Sequence, residues 1–335
     1  MKICQVKINT SYGTQTRMGI LINDNQVIDV NHVWSMYYAK DNRYNSQERA
    51  DYICPNSLHT ILTLKDQPIE FFQMTQTLFE TYQKDGDLDL SGNGKLLYSL
   101  DDESIALTKP IDKITTYRDF YAHEKHVAKG FEKRNEPIPE AWYEIPAYYK
   151  GPSAGFIGPE DEVLWPHYSN ILDYELELGV IVGKEGKNIK AENATDHIFG
   201  FSILNDISAR DIQRKEMAIR LGPAKGKDFC SVIGPVITTI DEFNNKEPDL
   251  LMTATINGQE WSRGQSGDSH FSFSEMIAHV SMDEWVLPGD FMGSGTVGTG
   301  CGLEIDKWIQ SGDTIELFVE GIGTLRNKIG NKRTV

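Results

Sequence analysis

The sequence is poor in cysteine, in long apolar runs and in positive charge, and each shortage excludes something. Only four cysteines occur in 335 residues, Cys4, Cys54, Cys230 and Cys301, and none forms a CxxC pair. That scatter points to reduced thiols in a cytoplasmic protein rather than a disulfide framework. No stretch approaches 18 uninterrupted apolar residues, so no transmembrane helix is expected. The opening MKICQVKINTSYG is too polar for a signal peptide. Without a secretory route, the glycosylation-like triplets at Asn9 and Asn193 are chance matches. Lys and Arg total 33 against 49 Asp and Glu, a formal charge of −16. An acidic surface repels phosphate backbones, which argues against a general nucleic-acid binder. It leaves an anionic small substrate open, because a pocket can hold local cations that the total conceals.

What is present fits a globular chain: hydrophobic residues are 39% and mean hydropathy is −0.41. At roughly 150 residues per domain the length suggests about two domains. No internal repeat is visible. Short strands are expected at Ile3–Ile8, Met18–Ile22 and Val27–Val30, with a turn across residues 23–25. Apolar residues recur at helical spacing over 57–83, and an acidic loop follows at 85–94. A small N-terminal domain over 1–105 is expected, followed by a larger body over 106–335. That body carries strand-like runs at Leu176–Val182, Val232–Ile237, Leu251–Ile256 and Thr314–Val319, and a helix near Phe273–Val280. The fold class is α+β, mainly β.

Three tempting motifs fail. Asp85, Asp87 and Asp89 begin like a calcium loop, but Leu90 and Leu96 stand where glycine and glutamate belong. Gly293, Gly295 and Gly298 have dinucleotide-type spacing without a βαβ context. Gly226–Lys227 is followed by Asp228 where a phosphate loop needs Ser or Thr.

Carboxylates are more informative. Leu172 to Val180 alternates with period two, placing Glu175 and Glu177 on one side and Leu176, Leu178 and Val180 on the other. Two carboxylates about 6–7 Å apart along a strand repel. A hard divalent cation between them offsets that, although an edge strand with a wet acidic face gives the same pattern. Asp206 ends the apolar run FSILND, where it can join a site at the strand's mouth or, with Ser208, cap the following helix. In YRDFYAHEKH, a helical reading puts Asp119, His123 and His126 on one face at i, i+4 and i+7. A neutral histidine beside carboxylates suits proton abstraction near neutral pH, and an ordinary polar helix face is the competing reading.

Taken in order, YRDFYAHEKH (117–126), LDYELELGVIVG (172–183), HIFGFSILNDISARDIQ (197–213), LGPAKGKDF (221–229) and GSGTVGTGCGLE (293–304) resemble the fumarylacetoacetate hydrolase family. The resemblance covers about residues 115–320. It implies a mixed β-roll preceded by a smaller β-containing N-terminal domain, and commonly a homodimer. It places the metal ligands on Asp119, Glu175, Glu177 and Asp206, with Mg²⁺ or Ca²⁺ as the cofactor and Mn²⁺ as a possibility. It places the catalytic histidine on His126 and its orienting glutamate on Glu304. Lys227 and Gln213 become catalytic and substrate-binding residues, and Tyr149, Thr296 and Arg134 substrate-binding ones. A family tyrosine soon after the glutamine is replaced by Met217, which places fumarylacetoacetate itself in doubt.

The chemistry implied is hydrolysis of a carbon–carbon bond in a β-diketone acid, such as an acylpyruvate, fumarylpyruvate or a fumarylacetoacetate-like compound in aromatic catabolism. His126 takes a proton from water, and the metal and Lys227 stabilise the enolate leaving group. Decarboxylation, dehydration or tautomerisation of a 2-oxo acid uses the same stabilisation, so the ligands alone do not separate these readings. A non-catalytic metal- or ligand-binding protein is the third reading. The partner expected is a small anionic oxo acid, with no nucleic acid and no membrane.

Overall fold

Two large sheets, of twelve and five strands, organise the chain. The computed structural model describes residues 1–41, 44–86 and 95–333. Strands β1 (Lys2–Thr10) and β2 (Gly13–Ile22) form a hairpin, and β3 (Gln26–Asp29) pairs with β2. Asp29 then caps α1 (Val30–Lys40), accepting the His32 N–H at 2.9 Å. Helices α2 (Ser46–Ile53), α3 (Leu58–Leu64) and α4 (Pro68–Lys84) follow. The single helical run expected over 57–83 is thus two helices. Pro68 occupies the first turn of α4, and the residue before a proline is pushed out of the α region. Of the acidic loop expected at 85–94, residues 87–94 lie outside the described residues. Strands β4 (Leu97–Ser99) and β5 (Ile105–Thr108) close this part of the chain.

The larger body opens with β6 (Tyr117–Phe120), α5 (Glu124–Glu132) and β7 (Tyr148–Gly151). Next come the short strands β8 (Phe156–Ile157), β9 (Glu162–Val163) and β10 (Leu172–Asp173), then β11 (Leu176–Val182) and β12 (Gly186–Lys187). Strands β13 (Ile198–Asn205) and β14 (Ser208–Ala209) lead into α6 (Arg210–Ile219) and β15 (Ser231–Thr239). The remainder is β16 (Leu251–Ile256), β17 (Gln259–Gln265), α7 (Phe273–Ser281), β18 (Trp285–Val286), β19 (Phe291–Gly293), the one-turn α8 (Gly302–Ile305), β20 (Thr314–Val319) and β21 (Gly323–Ile329). Strands read from the sequence at 176–182, 232–237, 251–256 and 314–319 are β11, β15, β16 and β20, and the helix near 273–280 is α7.

The large sheet runs β4-β3-β2-β1-β15-β13-β11-β19-β6-β7, with β5 also paired to β1 and β8 to β15, and the smaller one runs β17-β16-β20-β21-β9. Most pairs are antiparallel, while β19 with β6, β15 with β8 and β21 with β9 are parallel. The fold is therefore α+β with a large mixed sheet, preceded by a smaller β-containing N-terminal part. One core contains Val180 and Phe201 from the large sheet together with Met252, Leu317 and Leu325 from the small one. A second joins Trp34, Phe72 and Phe79 to Ile181, Phe199 and Ile237. Packed on both faces, all seven residues of β11 are buried. The wet edge strand that its alternation left open is not what forms.

Two local expectations fail. Residues 119–126 are not one helix: Asp119 lies on β6 and the helix starts at Glu124. Neither Asp206 nor Ser208 caps α6, whose cap residue is Ala209 without a side-chain bond. All four cysteines are free and buried. Among the described residues, no helix is long and apolar enough to cross a membrane.

Candidate metal centre and acid–base pair

Four neighbouring strands, β13, β11, β19 and β6, bring distant carboxylates together. Antiparallel pairing of β11 with β13 sets Leu176 opposite Asn205, so Glu175 before β11 and Asp206 after β13 meet at one end. Glu177 lies one residue into β11. Across β19, Gly293 pairs with Gly179 on one side and Asp119 on the other. One oxygen each from Asp119, Glu175, Glu177 and Asp206 lie within 4.8 Å of one another, and all four residues are buried. Gly293 keeps the space between them open. A Cβ there would sit 2.7 Å from Asp119 Oδ1 and 2.9 Å from Glu177 Oε2, closer than real contacts allow.

The four carboxyls differ electrostatically. Burial, and then Asp119 and Asp206, push Glu177 well above the usual carboxylate range. Burial raises Asp206 strongly, with Lys227 opposing, and raises Asp119 in the same sense. Burial also acts against the charged form of Glu175, but Arg210 and Lys227 outweigh it and hold Glu175 low. The Lys227 ammonium bonds both Glu175 and Asp206. Arg210 Nη2 lies 2.7 Å from Glu175 Oε1 and 2.8 Å from Asp173 Oδ2. Asp119 Oδ1 is buried without a hydrogen-bond partner. An all-oxygen set with an orphaned buried oxygen, under mutual repulsion, fits a hard divalent cation.

His126 and Glu304 approach from α5 and α8, with Nδ1 to Oε1 at 2.7 Å. The other Glu304 oxygen accepts the Thr299 N–H at 2.8 Å, fixing the carboxylate. The Tyr121 ring stands edge-on to the imidazole at 5.3 Å. Thr296 Oγ1 donates to Glu177 at 3.3 Å, and the Gly295 N–H donates to the same carboxylate at 3.1 Å. Gln213 is tied to the cluster through Arg210 Nη1, which donates to its Oε1 at 3.0 Å. Tyr149 faces Asp119 across the β6–β7 pairing, and its hydroxyl donates to Asp228. Burial and that carboxylate raise the Tyr149 phenol, which therefore stays protonated.

Arg134 is not brought in. It is exposed after α5, paired with Glu136 at 3.3 Å and stacked over Phe131 at 4.1 Å. His123 has no shared face with Asp119. It precedes α5, buried, with neither ring nitrogen bonded. Burial and the neighbouring His126 push it down to about 4.

The local reading of carboxylates and histidines missed Asp173 and Arg210. Asp173 accepts the Gly302 and Leu303 N–H groups at 2.7 and 3.0 Å, holding the turn that carries Glu304. It also accepts Arg210 Nε at 2.8 Å, so it links that turn to Glu175 through one guanidinium. The available signal was an arginine directly after the largely apolar run 198–209. Such a charge needs a buried partner.

A four-carboxylate cation site beside a histidine–glutamate pair on a large mixed sheet defines a metal-binding protein of the fumarylacetoacetate hydrolase type. Residues 115–330 match the fumarylacetoacetate hydrolase C-terminal family, and the chain belongs to that family. It is 39% identical over 161 residues to oxaloacetate tautomerase YisK of Bacillus subtilis, covering 48% of this chain and 52% of that protein. It is 31% identical over 199 residues to the human mitochondrial oxaloacetate tautomerase FAHD2A, covering 59% of this chain and 62% of that protein. The chain thus spans between half and two thirds of these curated relatives. Among solved structures, the maleylpyruvate hydrolase of Sphingobium sp. SYK-6, in complex with manganese(II) ion and pyruvate, shares the fold. Its TM-score is 0.67 at 19% identity, over 99% of this chain and 100% of that one.

Proposed function

We propose that the chain is a metal-dependent tautomerase of small 2-oxo acids of the oxaloacetate kind. The observation that carries this reading is the 2.7 Å His126–Glu304 bond beside the buried carboxylate set. The oxaloacetate tautomerases among its relatives favour isomerisation over the hydrolysis that the family name suggests. Asp119, Glu175, Glu177 and Asp206 hold the cation, which is Mg²⁺, Ca²⁺ or Mn²⁺. The bound ion supplies Lewis-acid stabilisation of enolate charge.

The residues supply proton transfer. With Nδ1 bonded to Glu304, His126 exchanges a proton at Nε2, and Glu304 stabilises the imidazolium that forms. His126 removes the proton from the carbon beside the carbonyl and returns one to the enolate oxygen. The C–H electron pair becomes the C=C bond, the carbonyl π pair passes to oxygen, and no σ bond other than C–H and O–H changes. Lys227, charged between Glu175 and Asp206, adds positive potential where the enolate develops. Gln213, Thr296 and Tyr149 orient the acid, and Tyr149 does so as a hydroxyl donor. In this reading the protein works in the cytoplasm as a homodimer.

The same dyad can deprotonate water, which keeps hydrolysis of an acylpyruvate as the second reading. The test mixes Mg²⁺-loaded protein with enol oxaloacetate and follows loss of enol absorbance, then identifies products. Faster enol loss with oxaloacetate conserved is expected, and His126→Gln should slow it by about 10²–10⁴. Release of pyruvate and carbon dioxide would replace the reading with decarboxylation. Cleavage of acetylpyruvate without enol turnover would restore hydrolysis.

A further inference from the structure

Cys301 is the nearest nucleophilic atom that the proposed proton transfer does not use. Its side chain is fully buried where Glu175 bridges to the GTGCG turn. Sγ lies 3.9 Å from His126 Nδ1 and 3.5 Å from Glu304 Oε1, and the latter two are 2.7 Å apart. One sulfur, one nitrogen and one oxygen therefore converge next to a site built of oxygen alone. Such a mixed set prefers borderline cations over magnesium or calcium. With tetrahedral zinc bond lengths, sulfur–oxygen and sulfur–nitrogen edges are about 3.5–3.6 Å and the nitrogen–oxygen edge about 3.4 Å. The two sulfur edges are already near those values. Only the His126–Glu304 contact must open, by about 0.7 Å. The His126 and Glu304 side chains keep only 8% and 6% exposure, so the cluster is nearly enclosed.

We propose that Cys301, His126 and Glu304 form a second metal site, selective for thiophilic divalent cations such as Zn²⁺ and Cd²⁺, whose occupation arrests the enzyme. The ion takes the Nδ1 lone pair, so the single imidazole proton moves to Nε2, and the Cys301 thiol proton leaves to solvent. A histidine carrying its proton on Nε2 no longer accepts one from substrate. Water completes the fourth position. Binding rests on the three side chains alone; the arrest rests on the proton-transfer role proposed for His126.

The test uses full-length protein under saturating Mg²⁺. Cd²⁺ is titrated in while thiolate-to-metal ultraviolet absorption is recorded, and Zn²⁺ is titrated against turnover in parallel. One Cd²⁺ per chain with thiolate absorption is expected, together with Zn²⁺ inhibition that added Mg²⁺ does not reverse. Cys301→Ser should keep Mg²⁺-dependent turnover, lose the absorption and need at least about tenfold more Zn²⁺ for the same inhibition. Absence of the absorption in the unaltered protein, or its persistence in Cys301→Ser, overturns the site. Equal Zn²⁺ sensitivity of the two proteins overturns the arrest. Absorption in a protein without tautomerase turnover faults the functional reading and leaves the site standing. Should Cys301→Ser not fold, cadmium NMR of the unaltered protein reads whether one sulfur is bound.

Discussion

Glu175 and Glu177 are two residues apart on one strand end, yet they meet opposite surroundings. Glu175 has Arg210 and Lys227 against it, while Glu177 faces Asp119 and Asp206. The charge on Glu177 therefore destabilises the metal-free fold, with no basic neighbour among its main influences. Glu177→Gln is expected to melt higher than the unaltered protein in chelator, and to lose the stabilisation that Mg²⁺ confers. That stabilisation amounts to about 2.7 kcal/mol at a hundredfold excess over Kd. Thermal denaturation with and without Mg²⁺ checks both arms, and lower stability in chelator would contradict the repulsion argument. Asp173 acts through others as a positioning residue, since it joins the Glu304 turn to Arg210. Asp173→Asn should lower kcat by about 10–100-fold with KM little changed. A purely structural role would instead lower the amount of folded protein at unchanged kcat. Neither role is visible in spacing. Asp173 falls on the same alternation as Glu175 and Glu177, and only the fold turns it away toward the Gly302 and Leu303 amides.

At the scale of elements, the segment 117–132 shows where local pattern stops deciding. Asp119, His123 and His126 satisfy helical spacing, but β6 is held by parallel pairing to β19 and antiparallel pairing to β7, partners about 170 and 30 residues away. Pairing at such range overrides a short periodic match. Asp119 joins the carboxylate set from a strand and His126 meets Glu304 from a helix, so the two do not share one helix face. His123 is left at the junction, buried and unbonded. Its folded value of about 4 lies below the ordinary 6.5, so the unfolded chain binds more protons between the two. His123 therefore costs stability as pH falls from 6.5 toward about 4, by at most about 1.4 kcal/mol per pH unit. His123→Phe should flatten that part of the stability profile, read as urea midpoints across the window. An unchanged slope would show that another group sets it.

Across the whole molecule, the deficit of positive charge noted in the sequence becomes a kinetic statement. If the proposed function holds, a protein of formal charge −16 repels an oxo-diacid until it reaches Lys227 and the cation held beside it. On the tautomerase reading, kcat/KM should rise with ionic strength over the range where the Debye length shrinks from about 30 to about 8 Å. A fall with salt, measured at constant Mg²⁺, would mean that a positive entry path dominates instead. Strand runs and the Glu175–Glu177 pair were legible because alternation is local, whereas the joining of Asp119 and Asp206 to them was expected only from the family resemblance. The joining of the N-terminal strands to the catalytic sheet was not legible, because it depends on Lys2 and Ile3 meeting Thr238 and Ile237.

That pairing sets a timetable for synthesis. During synthesis β1 can form its hairpin with β2 early, but the edge at Lys2 and Ile3 stays bare until β15 is made. At about 5–20 residues per second the wait is on the order of ten to fifty seconds. The nascent chain carries an open strand edge throughout that interval, a template for unwanted strand pairing until β15 covers it.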